Sequence, residues 1–195
     1  MQRLAAIHFE KGFDIDGLFR ALLAGFGHDL ALSGGPVAAR SLPHRPDLRL
    51  GGVVQITDGV EGGRAAEARL VDILTGATFP ILEARGLLAR GCRLDETGLH
   101  DAERAIEAAI VQGVDLLLVN RFGRAESEGR GLVHSLARAL ALDLPVLTAV
   151  REPYVEAWRA FHGGLGRELA CDRTAVLAWV EALARSRPGR LIDRA

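Results

Sequence analysis

The chain of 195 residues is nearly devoid of lysine: Lys11 is the only one, and every other basic side chain is an arginine. Chemistry that depends on a side-chain amine therefore has one place to occur. Cysteine is equally scarce. Cys92 and Cys171 stand far apart, fitting neither a disulfide framework nor a zinc-knuckle spacing. The histidines, His8, His28, His44, His100, His134 and His162, are scattered, so the spacing points to no metal site. No apolar run approaches the roughly 20 residues of a membrane helix, and Met1-Gln2-Arg3 leads straight into a strand-like run rather than a leader. Formal net charge is -1, which excludes a broad basic footprint for nucleic acid. No G-x-S-x-G and no Ser-His-Asp order point to a hydrolase. A cytoplasmic protein is expected, with no membrane or nucleic-acid partner.

What is present reads as a globular chain. Hydrophobic residues make up 49% and charged residues 25%, and the length suits one α/β domain, 1–195. Leu4–Phe9 reads as a first strand, and Asp14 as the N-cap of a helix through Phe26. Ser33 to Asp47 reads as a loop with a short helix at Val37–Arg40. Leu48–Ile56 reads as a strand, Asp58–Gly63 as a turn, and Ala66–Leu74 as the hairpin partner. Phe79–Leu88 is ambiguous between strand and loop. Asp95 is the expected N-cap of a helix through Ile110 that stops at Gly113. Val114–Val119 has the length and branching of a buried parallel strand. Helix Leu132–Leu142, strand Leu144–Val150, an aromatic helical stretch Tyr154–Phe161 and a final helix from Arg173 through Leu183 complete the order. Strands alternating with helices predict three layers: a mainly parallel sheet flanked by helices, with one β-hairpin insertion.

The first strand–loop–helix is where a nucleotide-binding α/β protein would carry G-x-x-x-x-G-K-[ST]. That pattern is absent. Lys11 precedes Gly12, no hydroxyl residue follows, and the loop is too short to wrap a triphosphate. Lys11, Gly12 and Asp14 then read either as a vestigial phosphate site or as a capped helix start.

The aliphatic strand ends at Asn120-Arg121-Phe122-Gly123-Arg124, followed by the acidic, glycine-rich AESEGRG. Ligands of open α/β sheets bind where loops leave the carboxyl ends of strands. Arg121, Arg124 and Arg130 would bring positive charge, Gly123, Gly129 and Gly131 close backbone approach, and Asn120 orientation. The alternative is a simple connection whose arginines pair with Glu126 and Glu128. Gln55 either bonds a ligand at a strand end or satisfies the hairpin. Cys92, Arg93 and Asp95 form a possible second site, a thiol beside an arginine and a helix start, against plain capping by Asp95. Asp72 is a supporting acid or a turn residue. Tyr154, Trp158 and Phe161 wall a pocket, form a subunit interface, or fill the core.

Four segments in one order carry a resemblance: Val53–Gln55 (VVQ), Gly91–Asp95 (GCRLD), Leu116–Gly131 (LLLVNRFGRAESEGRG) and Pro145–Val150 (PVLTAV). Together they resemble the bacterial domain of unknown function 2478 family over most of the chain. The resemblance implies a setting near molybdate-uptake or molybdenum-enzyme genes. A more distant likeness is to the thermophile-type nucleoside triphosphatases of the P-loop class, where Asn120-Arg121 would be an acidic Asp-Glu. These likenesses imply a P-loop-NTPase-like fold with a degenerate phosphate loop. Without the lysine and the strand-end acid, phosphoryl transfer loses most of its electrostatic stabilisation.

The expected function is binding of a small anionic ligand, a nucleotide or an oxyanion such as molybdate, without efficient hydrolysis. The ligand contacts would come from Lys11, Gly12, Asp14, Gln55, Asn120, Arg121, Gly123, Arg124, Glu126, Gly129 and Arg130. A slow phosphatase using Glu126 or Glu128, and a regulatory interaction module or homodimer contacting through the aromatic segment, are the alternatives.

Overall fold

The computed structural model describes residues 2–28, 48–61, 64–83, 93–94 and 96–186. In chain order the elements are β1 (Leu4–His8), α1 (Ile15–Gly25), β2 (Leu50–Glu61), β3 (Arg64–Asp72), β4 (Thr78–Pro80), β5 (Leu82–Glu83), β6 (Arg93–Leu94), α2 (Glu96–Val111), β7 (Leu116–Phe122), α3 (Arg124–Ser127), α4 (Val133–Ala141), β8 (Val146–Val150), α5 (Val155–His162), β9 (Gly166–Ala170) and α6 (Arg173–Arg185). The expected loop over Ser33–Asp47 and the cap at Asp95 lie outside the described residues.

Seven strands form one sheet in the order β4-β3-β2-β7-β8-β1-β9, and β5 pairs with β6 apart from it. The five strands from β2 to β9 are parallel, whereas β3 and β4 join antiparallel at one edge. The sheet is thus mainly parallel with the expected β2–β3 hairpin, but Asp58–Glu61, expected as turn, continue β2 and pair with β3 back to Arg64. The ambiguous stretch after Phe79 holds the short β4 and β5.

Alternation along the strands feeds two cores. Leu4, Ala6, Leu117 and Val119 pack with α2, α4 and α5 through Ala102, Ile106, Leu136 and Trp158. Ala5, Ile7, Leu116 and Leu118 pack with α1 and α6 through Phe19, Leu22, Val176 and Trp179. Strands buried on both faces read as unbroken aliphatic runs, and each fully buried large side chain contributes about 1.5–3 kcal/mol. Trp158 is among the fully buried side chains, set against Phe122, Phe161 and His162. The aromatic stretch is therefore core at Trp158, the last of its three expected readings.

The chain leaves β1 for the α1 face and leaves β8, its neighbour, for the α5 face. Adjacent strands whose connections diverge open a crevice at their carboxyl ends, and this is the place where doubly wound sheets bind ligands. Asp14 caps α1 by accepting from Gly17 N at 2.8 Å, and Asp16 follows in the first turn.

Candidate functional site

β7 departs from regular geometry where its sequence turns polar. Val119 pairs with Thr148 and Phe122 with Val150, so three steps on β7 match two on β8. One residue is extra, a bulge of the kind that is rare between parallel strands and that re-aims a side chain. Arg121 carries the bulge, with φ 148°. This is a conformation that a branched or long L-residue adopts only when its surroundings hold it there.

The consequence shows in the faces. Val119 and Phe122 both lie in the α2–α4–α5 core, although strict alternation would place them on opposite sides. Between them Asn120 and Arg121 both turn toward α1. Asn120 Nδ2 donates to Asp16 Oδ1 at 2.9 Å, and Arg121 Nη2 donates to the same oxygen at 2.7 Å. The other Asp16 oxygen, Oδ2, accepts from Thr57 Oγ1 at 3.0 Å, and Thr57 Oγ1 accepts from Gln55 Nε2 at 3.0 Å. Five residues from α1, β2 and β7 thus form one polar network at the carboxyl edge of the sheet. Its formal charge is zero, Asp16 against Arg121.

Burial makes the pairing strict. Asp16 is 8% exposed and Asn120 3%, so an unpaired charge there would carry a large desolvation cost. Two atoms nevertheless lack partners: Asn120 Oδ1 and Arg121 Nε are buried and make no hydrogen bond among the described residues. A buried unsatisfied donor and acceptor on adjacent residues are unusual in a native fold.

The remaining sequence candidates fall elsewhere. Lys11 and Gly12 are exposed on a turn closed by Phe13 N donating to Glu10 O at 3.2 Å. Gly12, at φ 95°, supplies the conformation that this turn needs, and among the described residues Lys11 forms no ion pair with Asp16, whose charge partner is Arg121. Asp14 caps α1 and faces Arg20 at 3.7 Å, so a carboxylate already occupies the helix end where an anion would sit. Of the two readings of this stretch, Asp14 follows the capped helix start.

Arg124 and Arg130 both pair with Glu128 at the surface, Arg124 Nε at 2.9 Å. These two pairings hold the Glu128 carboxyl below its usual range. The arginines therefore do not converge with Arg121. Glu126 is committed to the backbone: Oε2 accepts from Gly123 N at 2.9 Å and Oε1 from Leu132 N at 3.0 Å. Burial raises its pKa, with those two bonds opposing. Glu126 thus closes the loop after β7. Gly129 and Gly131 take positive φ in the same loop.

Asp72 is a turn residue, with Oδ2 accepting from Thr75 Oγ1 at 2.6 Å and Oδ1 from Leu74 N at 3.0 Å. Cys92 and Asp95 lie outside the described residues, and Arg93 is known only as part of β6. Among the described residues no three His, Cys, Asp or Glu side chains are gathered as metal ligands. The members that sequence reading missed are Asp16 and Thr57. Asp16 passes for an ordinary acid in a helix first turn, and its partners lie 41 to 105 positions away.

The family model described as "Protein of unknown function (DUF2478)" matches residues 36–179. That range contains Gln55, Thr57, Asn120 and Arg121 but not Asp16. A curated relative, the molybdenum import ATP-binding protein ModC 2 of Bradyrhizobium diazoefficiens, is 40% identical over 179 residues. The matched region is 91% of this chain and 18% of that relative, so the chain spans about a fifth of the relative's length. No solved structure matches the chain. No described helix is long and apolar enough to cross a membrane.

Proposed function

The chain belongs to the family of proteins of unknown function DUF2478, and from that premise we propose that it binds a nucleotide or a small oxyanion in a molybdate-linked setting, on a P-loop-like scaffold that does not turn its ligand over. The observation that carries this reading is the bulge at Asn120–Arg121. Strain of this kind persists where the surrounding structure over-determines it, and it gathers at functional sites. It stands at the carboxyl end of a central parallel strand, beside the start of the helix that follows β1.

The molybdate link is supported by the relative whose name is that of a molybdenum import ATP-binding protein. The P-loop likeness is supported by the strand–turn–helix at β1–α1 facing a polar strand end on β7. Hydrolysis is disfavoured by the residues themselves. The turn before α1 lacks the phosphate-loop lysine and hydroxyl, Asn120 stands where a magnesium-holding acid would be, and Asp16 is already tied to Arg121.

A thermal-shift series with molybdate, tungstate, sulfate, phosphate, ATP and GTP tests the reading. A ligand at ten times its Kd adds about 1.4 kcal/mol, a rise on the order of 3–6 °C for a chain of this size. The rise is expected for at least one of these ligands and is expected to vanish in Arg121→Ala. No shift with any of them at millimolar concentration would sink the proposal, and brisk magnesium-dependent phosphate release would sink its second half.

A further inference from the structure

The geometry points to a ligand class for this site: a cyclic amide edge, the adjacent N–H and C=O of a purine, pyrimidine or pteridine ring, rather than a bare tetrahedral oxyanion. This inference rests on the proposed binding site at Asn120–Arg121 and chooses between the ligands allowed there.

The first support is the orientation of Asn120. Its Nδ2 donates to the Asp16 carboxylate, and a carboxylate can only accept. The amide cannot be flipped without setting two acceptors against each other, so Oδ1 is fixed as a buried acceptor. It is also unpartnered, in a side chain that is 3% exposed.

The second is Arg121, whose fork is only partly used. Nη2 is held by Asp16 at 2.7 Å, while Nε–H has no partner. The unmet needs of the site are therefore one acceptor and one donor, on side chains that the bulge has turned the same way. A neighbouring N–H and C=O on one ring edge meets both. A fully ionised oxyanion, which offers acceptors alone, meets the Nε–H and repels Asn120 Oδ1.

Charge favours the same choice. The guanidinium is already neutralised by Asp16, and Asp14 stands at the helix start two residues before it. A dianion would enter a neutral network beside two carboxylates; a neutral ring has no such cost.

A ring also has a surface to stack on. Phe13, 43% exposed, is the one exposed aromatic side chain among the described residues. It sits on the β1–α1 turn, three positions before Asp16. Stacking on an exposed aromatic is a common complement to edge recognition of heterocycles. Arg121, whose side chain is 34% exposed, is more open to solvent than the Asp16 carboxylate it pairs with.

Calorimetric titration of the full chain tests this with guanosine, biopterin, the same rings methylated at the N–H beside the carbonyl, molybdate and phosphate. One parent ring is expected to bind, and which one identifies the source. Methylation is expected to weaken it about tenfold or more, since a buried acceptor is again left unmet. Arg121→Lys keeps the charge facing Asp16 but lacks the guanidinium edge, and is expected to abolish ring binding in a chain that still folds. Phe13→Ala, at an exposed position, is expected to weaken it several-fold. Binding of molybdate or phosphate without either ring would overturn the inference and leave the oxyanion reading standing. Ring binding that is indifferent to methylation overturns it too. Binding of nothing removes both.

Discussion

At the scale of single residues, Asp16 and Arg121 depend on each other. Removing either leaves the other buried or half-buried without its charge partner. Arg121→Ala is expected to lower unfolding free energy by about 1–3 kcal/mol, the lower end applying because the guanidinium is a third exposed. Asp16→Ala should cost a similar amount, and the double variant clearly less than the sum. Urea titration of the four proteins gives the coupling; simple additivity would show that the pair is incidental. His162 provides a pH test. Its Nδ1 accepts from Gly164 N at 3.1 Å and Gly166 N at 3.0 Å, and burial lowers its pKa from 6.5. The folded protein therefore binds this proton less readily than the unfolded chain. The stability it supports is complete above pH 6.5 and is lost as pH falls through that value toward the folded pKa. Urea midpoints between pH 7.5 and 5 should fall more steeply in the wild type than in His162→Gln. Parallel profiles would locate the acid sensitivity elsewhere.

At the scale of elements, β7 is held by its neighbours. Gly52 on β2, at φ 103°, lies so close that an added Cβ would stand 2.1 Å from Leu118 O. Gly52→Ala therefore forces β2 and β7 apart, and a loss exceeding about 3 kcal/mol, or failure to fold, is expected from expression and circular dichroism. An unchanged melting curve would mean that the strands can part cheaply. The loop after β7 behaves differently. Glu126→Ala orphans the amides of Gly123 and Leu132 and should cost about 1–3 kcal/mol, while ligand affinity persists, because Glu126 takes no part in the network.

These elements also show what could be read in advance. β1, β7 and β8 are legible because both faces are buried and the residues are aliphatic. α1 is legible because its cap, Asp14, is an acid at the expected place. β9 is not: it is an edge strand, and of its residues only Leu169 is buried, so GRELA has no strand signature. The bulge is equally invisible, since nothing in VNRF distinguishes a regular strand end from a displaced one. The site was thus half legible. Asn120, Arg121 and Gln55 stand out as polar residues ending apolar runs, whereas Asp16 and Thr57 gain their role only when α1 folds across the sheet. The arginines at 124 and 130 follow the pairing alternative, with Glu128, and charge in a sequence does not reveal which neighbour has already claimed it.

At the scale of the whole molecule, the sheet separates two cores, and each contains one of the two tryptophans. Trp158 is buried among α2, α4 and α5, and Trp179 beside α1. The pair is therefore a built-in optical readout of cooperativity. Trp158→Phe leaves an indole whose emission reports the layer that carries Asp16, and Trp179→Phe leaves one that reports the opposite layer. If the polar network spanning α1, β2 and β7 makes the layers unfold as one, the two denaturation curves should superimpose. Loosening the network with Arg121→Ala should then draw the Trp158→Phe curve toward lower denaturant first, so that light from one side of the sheet shows whether the other has yet come undone.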